Sequence, residues 1–116
     1  MNPEQFLNIL ACLVVLAFGL YAAIQPRASA KLAGLSMDGA KGRAEIRIAF
    51  GAFSIALGAA PLILNQQAAY QTSGIVFLAA LAMRLLSLLL DHPPLDRGFI
   101  VSGVFELVAG LILFLS

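Results

Sequence analysis

The sequence predicts an all-α integral membrane protein, a single bundle of four transmembrane helices with both termini outside. Of its 116 residues, 61% are hydrophobic and 11% are charged, whereas soluble domains have roughly 25% charged residues. Four apolar stretches are close to the roughly 20 residues that span a bilayer. Apart from Arg84, the basic residues fall in alternate connections. We therefore expect one domain, residues 1–116, with helices at about 4–24, 44–64, 74–91 and 99–115.

The first helix carries a start signal at its N-terminus. Asn2 can act as N-cap, Pro3 suits the first turn, and Glu4 faces the positive end of the helix dipole. Gln5 completes a capping box with Asn2. The alternative is a cleaved signal peptide, since "ASA" at 28–30 resembles a cleavage site. No basic residue precedes the apolar run, which is also long for a signal peptide, so we expect the helix to be retained.

The connections between the helices predict the orientation. The second connection, "NQQAAYQTS", carries no charge, and the third, "DHPPLDRG", carries Arg97. By the positive-inside rule, the first and third connections are cytoplasmic and both termini lie outside. The first connection is also long enough for a short surface helix around "SAKLAGL". Its basic residues are Arg27, Lys31, Lys41, Arg43 and Arg47.

Arg84 is the one basic residue deep inside a predicted span. It lies ten residues after Gly74 and seven before Asp91, about 15 Å and 10 Å from the two membrane surfaces. A charge at this depth costs at least about 2.5 kcal/mol unless it is compensated. Glu106 of the fourth helix lies at nearly the same depth, so we expect the two to pair, with Ser54 as a further acceptor. The alternative is a protonated Glu106, with Arg84 bound to water or lipid phosphate.

A second set of polar residues lies at the cytoplasmic rim. Asp91 ends the third helix, while Glu45 and Arg47 begin the second, so we expect Asp91 to pair with Arg47. Arg97 competes for Asp91, and Asp91 as a simple helix-end residue is the alternative. Ser87 shares one helix face with Arg84 and Asp91, and this face should look into the bundle.

The second and fourth helices share a short pattern. "GAFSIALG" (51–58) and "GVFELVAG" (103–110) both read G-x-F-x-x-x-x-G, and Ser54 aligns with Glu106. The pattern indicates a parallel repeat of two helical hairpins. We interpret Gly51 and Gly58 as packing residues, because small side chains let membrane helices approach closely.

Three of these segments carry a resemblance. "EIRIAFG" (45–51), "RLLSLLLD" (84–91) and a glutamate in the last helix resemble a bacterial family of small four-helix membrane proteins, catalogued as a domain of unknown function. That family is similar in outline to DoxX-like proteins. The resemblance covers roughly residues 44–116. It implies the four-helix fold, a multi-pass protein of the bacterial inner membrane, and interest in Glu45, Arg47, Arg84, Ser87, Asp91 and Glu106, but no reaction.

The inventory argues against several functions. A net charge of +1 does not provide the strongly positive surface that attracts nucleic acid. The chain has one cysteine and one histidine, which are too few for a histidine-based metal site or a catalytic triad. We therefore expect no cofactor and no enzymatic activity. The favoured function is an accessory subunit or scaffold of a membrane assembly, partnered by the bilayer and by another membrane protein or a second copy. The alternative is a lipid-, quinone- or proton-binding module around Arg84, Ser87 and Glu106.

Overall fold

The computed structural model describes residues 2–36 and 39–116, and the regular structure in these ranges is entirely helical. Four of the helices are long and apolar enough to cross a membrane, which confirms the all-α class and the four predicted spans. A short fifth helix occupies the first connection, where a surface helix was expected. The helices are α1 (Pro3–Ile24), α2 (Pro26–Leu32), α3 (Gly39–Leu64), α4 (Gln67–Leu90) and α5 (Arg97–Phe114).

The N-terminus of α1 has the predicted capping box. The Asn2 Oδ1 atom accepts a hydrogen bond from the Gln5 backbone N–H at 2.8 Å, and the Gln5 Oε1 atom accepts from the Asn2 backbone N–H at 3.3 Å. Pro3 occupies the first turn, where its missing N–H has no cost. The local sequence alone therefore determines where this helix begins.

Two helices begin earlier than hydropathy predicts. Helix α3 begins at Gly39 rather than near residue 44, and α4 begins at Gln67 rather than at residue 74. Hydropathy reports only the part of a helix that suits hydrocarbon, whereas Gln and Ala extend a helix readily into water. The polar start of α4 is held by its neighbours: the Gln67 Nε2 atom donates to the Ser116 backbone oxygen at 2.6 Å.

Helix α3 changes its winding near its middle. Residues Gly39–Ile46 and Phe53–Leu64 are α-helical, and the Arg47–Ala52 segment between them is π-helical. A π-helical segment has more residues per turn and is frequent at functional sites. This segment holds Phe50, which faces the central cavity described below.

The four long helices pack as two hairpins. Helix α1 lies against α3, and α4 lies against α5. The contacts are close because glycines face the neighbouring backbone: a Cβ atom on Gly58 would lie 2.6 Å from the Cys12 carbonyl oxygen, and one on Gly74 would lie 2.5 Å from the Phe114 nitrogen. The hairpins meet through α1 and α5, where Val15 and Leu113 belong to one buried cluster, and through α3 and α4, where the Ser73 hydroxyl donates to the Leu57 carbonyl oxygen at 2.9 Å.

The repeated pattern has the same packing role in both hairpins. Gly51 and Gly58 of α3 face α1, where a Cβ on Gly51 would meet Ala23 at 3.4 Å. Gly103 and Gly110 of α5 face α4 in the same way. These contacts confirm the interpretation of Gly51 and Gly58 as packing residues.

Both termini lie at one end of the bundle, which we call the terminal end. Asn2, Ser116 and the connection at 65–66 line a common depression there. The opposite end, which we call the loop end, holds α2 and the 91–96 connection. At the loop end, Gly98 lies directly against the backbone of Ala33 and Gly34, so the first connection packs on the start of α5.

Candidate functional site

The structure brings Arg84 of α4 and Glu106 of α5 together in a bidentate ion pair. The Arg84 Nε atom lies 2.8 Å from Glu106 Oε1, and Arg84 Nη2 lies 2.8 Å from Glu106 Oε2. The side chains are 23% and 14% exposed, respectively. Parallel N–H···O bonds of this kind fix orientation as well as distance. The pair therefore ties α4 to α5 at a defined register.

Two residues of α5 hold the Arg84 side chain in place. The guanidinium carbon lies 4.8 Å from the centroid of the Phe99 ring, a cation–π contact. A Cβ on Gly103 would lie 3.2 Å from Arg84 Cδ, so the bare glycine leaves room for the arginine stem. Sequence reasoning missed both residues. The signal was their spacing, because Phe99, Gly103 and Glu106 fall at i, i+4 and i+7 on one helix face.

The ion pair borders a central cavity of about 250 Å³ between the two hairpins. All four long helices contribute to the walls, and Leu32 and Ala33 of the first connection close part of the loop end. Leu32 is 57% exposed and Val101 is 49% exposed, so the cavity reaches the surface beside them. Most of the wall is apolar, and its largest side chains are Phe18, Phe50, Phe77 and Phe105.

Hydrogen-bonding capacity is left over at this cavity. A guanidinium has five N–H donors, and the Glu106 contacts use only the Nε donor and one of the Nη2 donors. Ser54 and Ser102 also line the cavity. Ser54 was expected to accept from Arg84, but within the described part of the chain no hydrogen bond joins them. Arg84 and the two serines thus line the same cavity, and Arg84 has donors that its contacts with Glu106 do not use.

Comparison with known proteins assigns the chain to a family. The sequence profile of a family described as a domain of unknown function, DUF4345, matches residues 3–116. The chain belongs to the DUF4345 family. The match includes the first helix and first connection, which lie outside the residues 44–116 that carried the resemblance. No curated protein and no solved structure matches the chain.

The predicted pair between Arg47 and Asp91 is wrong for this DUF4345 chain. The Arg47 Nε atom donates to the Ala23 carbonyl oxygen at 2.9 Å, and Asp91 is exposed with no ion-pair partner in residues 2–36 and 39–116. The reason is topological. Arg47 belongs to the α1–α3 hairpin, where it satisfies a carbonyl near the C-terminal end of α1 that the helix leaves unbonded. Asp91 ends α4 in the other hairpin.

The other predicted site residues lie outside the cavity wall. Ser87 is half-buried one turn from Arg84, and its carbonyl oxygen accepts the Asp91 backbone N–H at 2.8 Å at the end of α4. Glu45 is exposed near the start of α3. No group of three or more histidine, cysteine or acidic residues that could hold a metal lies together in the ranges that the structure describes. The site therefore consists of Arg84, Glu106, Ser54, Ser102 and the phenylalanines.

Proposed function

We propose that this DUF4345 protein is a non-catalytic, multi-pass membrane protein that binds a small, largely apolar molecule in its central cavity. The Arg84–Glu106 pair forms the polar end of the site. One observation carries the proposal: Arg84, which has donors that Glu106 does not use, lines a cavity whose other walls are mostly apolar and include four phenylalanine rings. Small-molecule sites have this composition, with an apolar wall and a few polar groups that fix orientation.

The size of the cavity limits its occupant. An engineered protein cavity of about 150 Å³ accepts one benzene ring, and the cavity here is about 250 Å³. The occupant is therefore a molecule of one or two rings, or the end of a longer chain. A whole phospholipid is too large, although the end of one chain would fit. Of the lipid, quinone and proton alternatives, a ring-bearing headgroup suits the phenylalanine-lined cavity best.

A role as accessory subunit or scaffold is the second candidate. It is favoured by the completeness of the ion pair, since Arg84 and Glu106 compensate each other without any ligand. In this role the pair fixes helix register, and the bundle associates through its lipid-facing surfaces with a second copy or another membrane protein. Ligand binding and association do not exclude each other.

We further propose a location in the bacterial inner membrane, with the termini outside and the loop end in the cytoplasm. The distribution of basic residues supports this orientation, because lysine and arginine gather in the first and third connections. We also propose that the family is similar in outline to DoxX-like proteins.

The binding function is tested by filling the cavity. Ser54 lines the cavity, and Ala56, two residues later in α3, is exposed. Wild type, Ser54→Leu and the control Ala56→Leu are extracted into lipid nanodiscs at native expression levels, and bound small molecules are identified by mass spectrometry. We expect wild type and Ala56→Leu to carry the same molecule in about equimolar amount and Ser54→Leu to lack it.

Two results contradict the binding function. Equal retention by Ser54→Leu would place the molecule outside the cavity. A wild-type protein that carries no small molecule, and instead migrates with a partner protein, would favour the scaffold.

A further inference from the structure

We infer that the molecule held in the cavity is electrically neutral, a compound of one or two rings whose oxygen accepts a hydrogen bond from Arg84. This inference rests on the proposed binding function and specifies the chemical class of the ligand. It follows from the charge of the cavity wall, from the unused donors and from the shape of the apolar walls.

The charge of the wall sums to zero. Among the residues that the structure describes, Arg84 and Glu106 are the only ionisable ones that line the cavity, and they face each other at 2.8 Å. A charged ligand would therefore bring an uncompensated charge into an apolar cavity. An anion could reach Arg84 fully only by displacing Glu106, which would leave that carboxylate buried without its partner. Both routes carry the cost of an unpaired charge in a membrane interior.

The polar end of the site favours an acceptor. Arg84 has donors left after its contacts with Glu106, and a guanidinium has no acceptor of its own. A ligand carbonyl, ether or hydroxyl oxygen would satisfy one of these donors. The serine hydroxyls at positions 54 and 102 donate or accept as the ligand requires. One oxygen at the polar end is therefore enough.

The apolar walls favour flat rings. Phe77 and Phe105 pack edge to face with ring centroids 5.7 Å apart, and Phe18 lies 6.4 Å from Phe105. Aromatic rings stack or meet edge to face with such side chains. A ring-bearing ligand thus gains contacts that a flexible chain of the same volume does not.

The test compares two probes with the same ring system. 1-Naphthol is neutral at pH 7, and 1-naphthoate is an anion. Each is titrated by equilibrium dialysis against protein in phosphatidylcholine nanodiscs. Nanodiscs that contain Ser54→Leu serve as the blank, because partition into lipid is the same there. We expect wild type to bind 1-naphthol roughly a hundredfold more tightly than 1-naphthoate, the ratio that corresponds to the burial of one uncompensated charge.

A charge-removing variant reverses the preference. In Glu106→Gln the site keeps its shape but Arg84 is no longer neutralised, so 1-naphthoate should bind more tightly than 1-naphthol. Asp91→Asn is the matched control, since it removes the same charge from an exposed residue outside the cavity wall. We expect its preference to equal that of wild type. If Glu106→Gln does not fold, the wild-type ratio still decides the inference.

The outcomes separate the inference from the function beneath it. If wild type binds 1-naphthoate as tightly as 1-naphthol, and both bind above the Ser54→Leu blank, the cavity is a binding site but the ligand need not be neutral. If wild type binds neither probe above the Ser54→Leu blank, the cavity does not accept ring-sized molecules, and both proposals fail.

Discussion

The contact between Arg84 and Glu106 makes a quantitative prediction about stability. Glu106→Gln removes the negative charge while it retains the side-chain shape and one acceptor oxygen. Arg84→Met removes the positive charge and retains an apolar stem. Each single change leaves the other charge without its partner, whereas the double change removes both. A double-mutant cycle therefore isolates the energy of the pair.

The magnitude follows from burial and geometry. Breaking a fully buried pair costs about 3–5 kcal/mol, but polar contacts within membranes average about 0.6 kcal/mol and reach about 1.7 kcal/mol. The two side chains here retain 23% and 14% exposure. We therefore expect about 2–3 kcal/mol for each single change and a coupling energy of about 1–2 kcal/mol. Arg84→Met should cost more than Glu106→Gln, because it also loses the contact with Phe99.

The assay is reversible unfolding in mixed micelles, followed by far-UV circular dichroism. Arg47→Met provides the control, since Arg47 bonds a backbone carbonyl of α1 and shares no partner with Glu106. Combined with Glu106→Gln, it should be additive within about 0.5 kcal/mol. The exchange Arg84→Glu with Glu106→Arg should recover part of the loss but not all, because the exchanged arginine has neither Phe99 nor Gly103 positioned for it. A coupling energy below about 0.5 kcal/mol for the Arg84–Glu106 cycle would refute the reasoning.

Three further predictions concern packing, orientation and association. Gly58→Ala should destabilise by about 1–3 kcal/mol in the same unfolding assay, because its Cβ would lie 2.6 Å from a carbonyl oxygen. Gly51→Ala meets only a 3.4 Å contact and should be nearly neutral. Equal losses in the two variants would contradict the close packing of α1 on α3. In a Cys12→Ala background, a cysteine at Ala69 should react with an impermeant thiol reagent on intact cells and one at Ala40 should not, and the opposite result would invert the proposed orientation. At native expression, native gels with mass spectrometry should show the protein in a species larger than about 12 kDa plus detergent; an exclusively monomeric species would exclude association.

Much of the fold could be predicted because it depends on local composition. Hydropathy located the four spans, and "NPEQ" located the first capping box. The ion pair was also accessible from the sequence, since a charge deep in an apolar helix needs an opposite charge at matching depth, and helix rise alone gives the depth. The contacts of Arg47 and Asp91 at the helix ends could not be predicted from the sequence. Exposed groups at helix ends have water as an alternative partner, so spacing does not determine which of them meet.

The sequence by itself determined the membrane-type composition of this protein, its four candidate spans and the start of α1. It also determined that Arg84 and Glu106 lie at matching depth and pair. The tertiary structure alone decided the contacts at the helix ends, where Arg47 donates to the Ala23 carbonyl oxygen and Asp91 ends α4 in the other hairpin. It also decided that four phenylalanines from four helices surround one cavity beside the ion pair. The physical reason is that periodicity and helix rise specify the face and the depth of a residue within its own helix. Which helices become neighbours depends on how closely their backbones approach, and that is set by glycine contacts across the whole bundle.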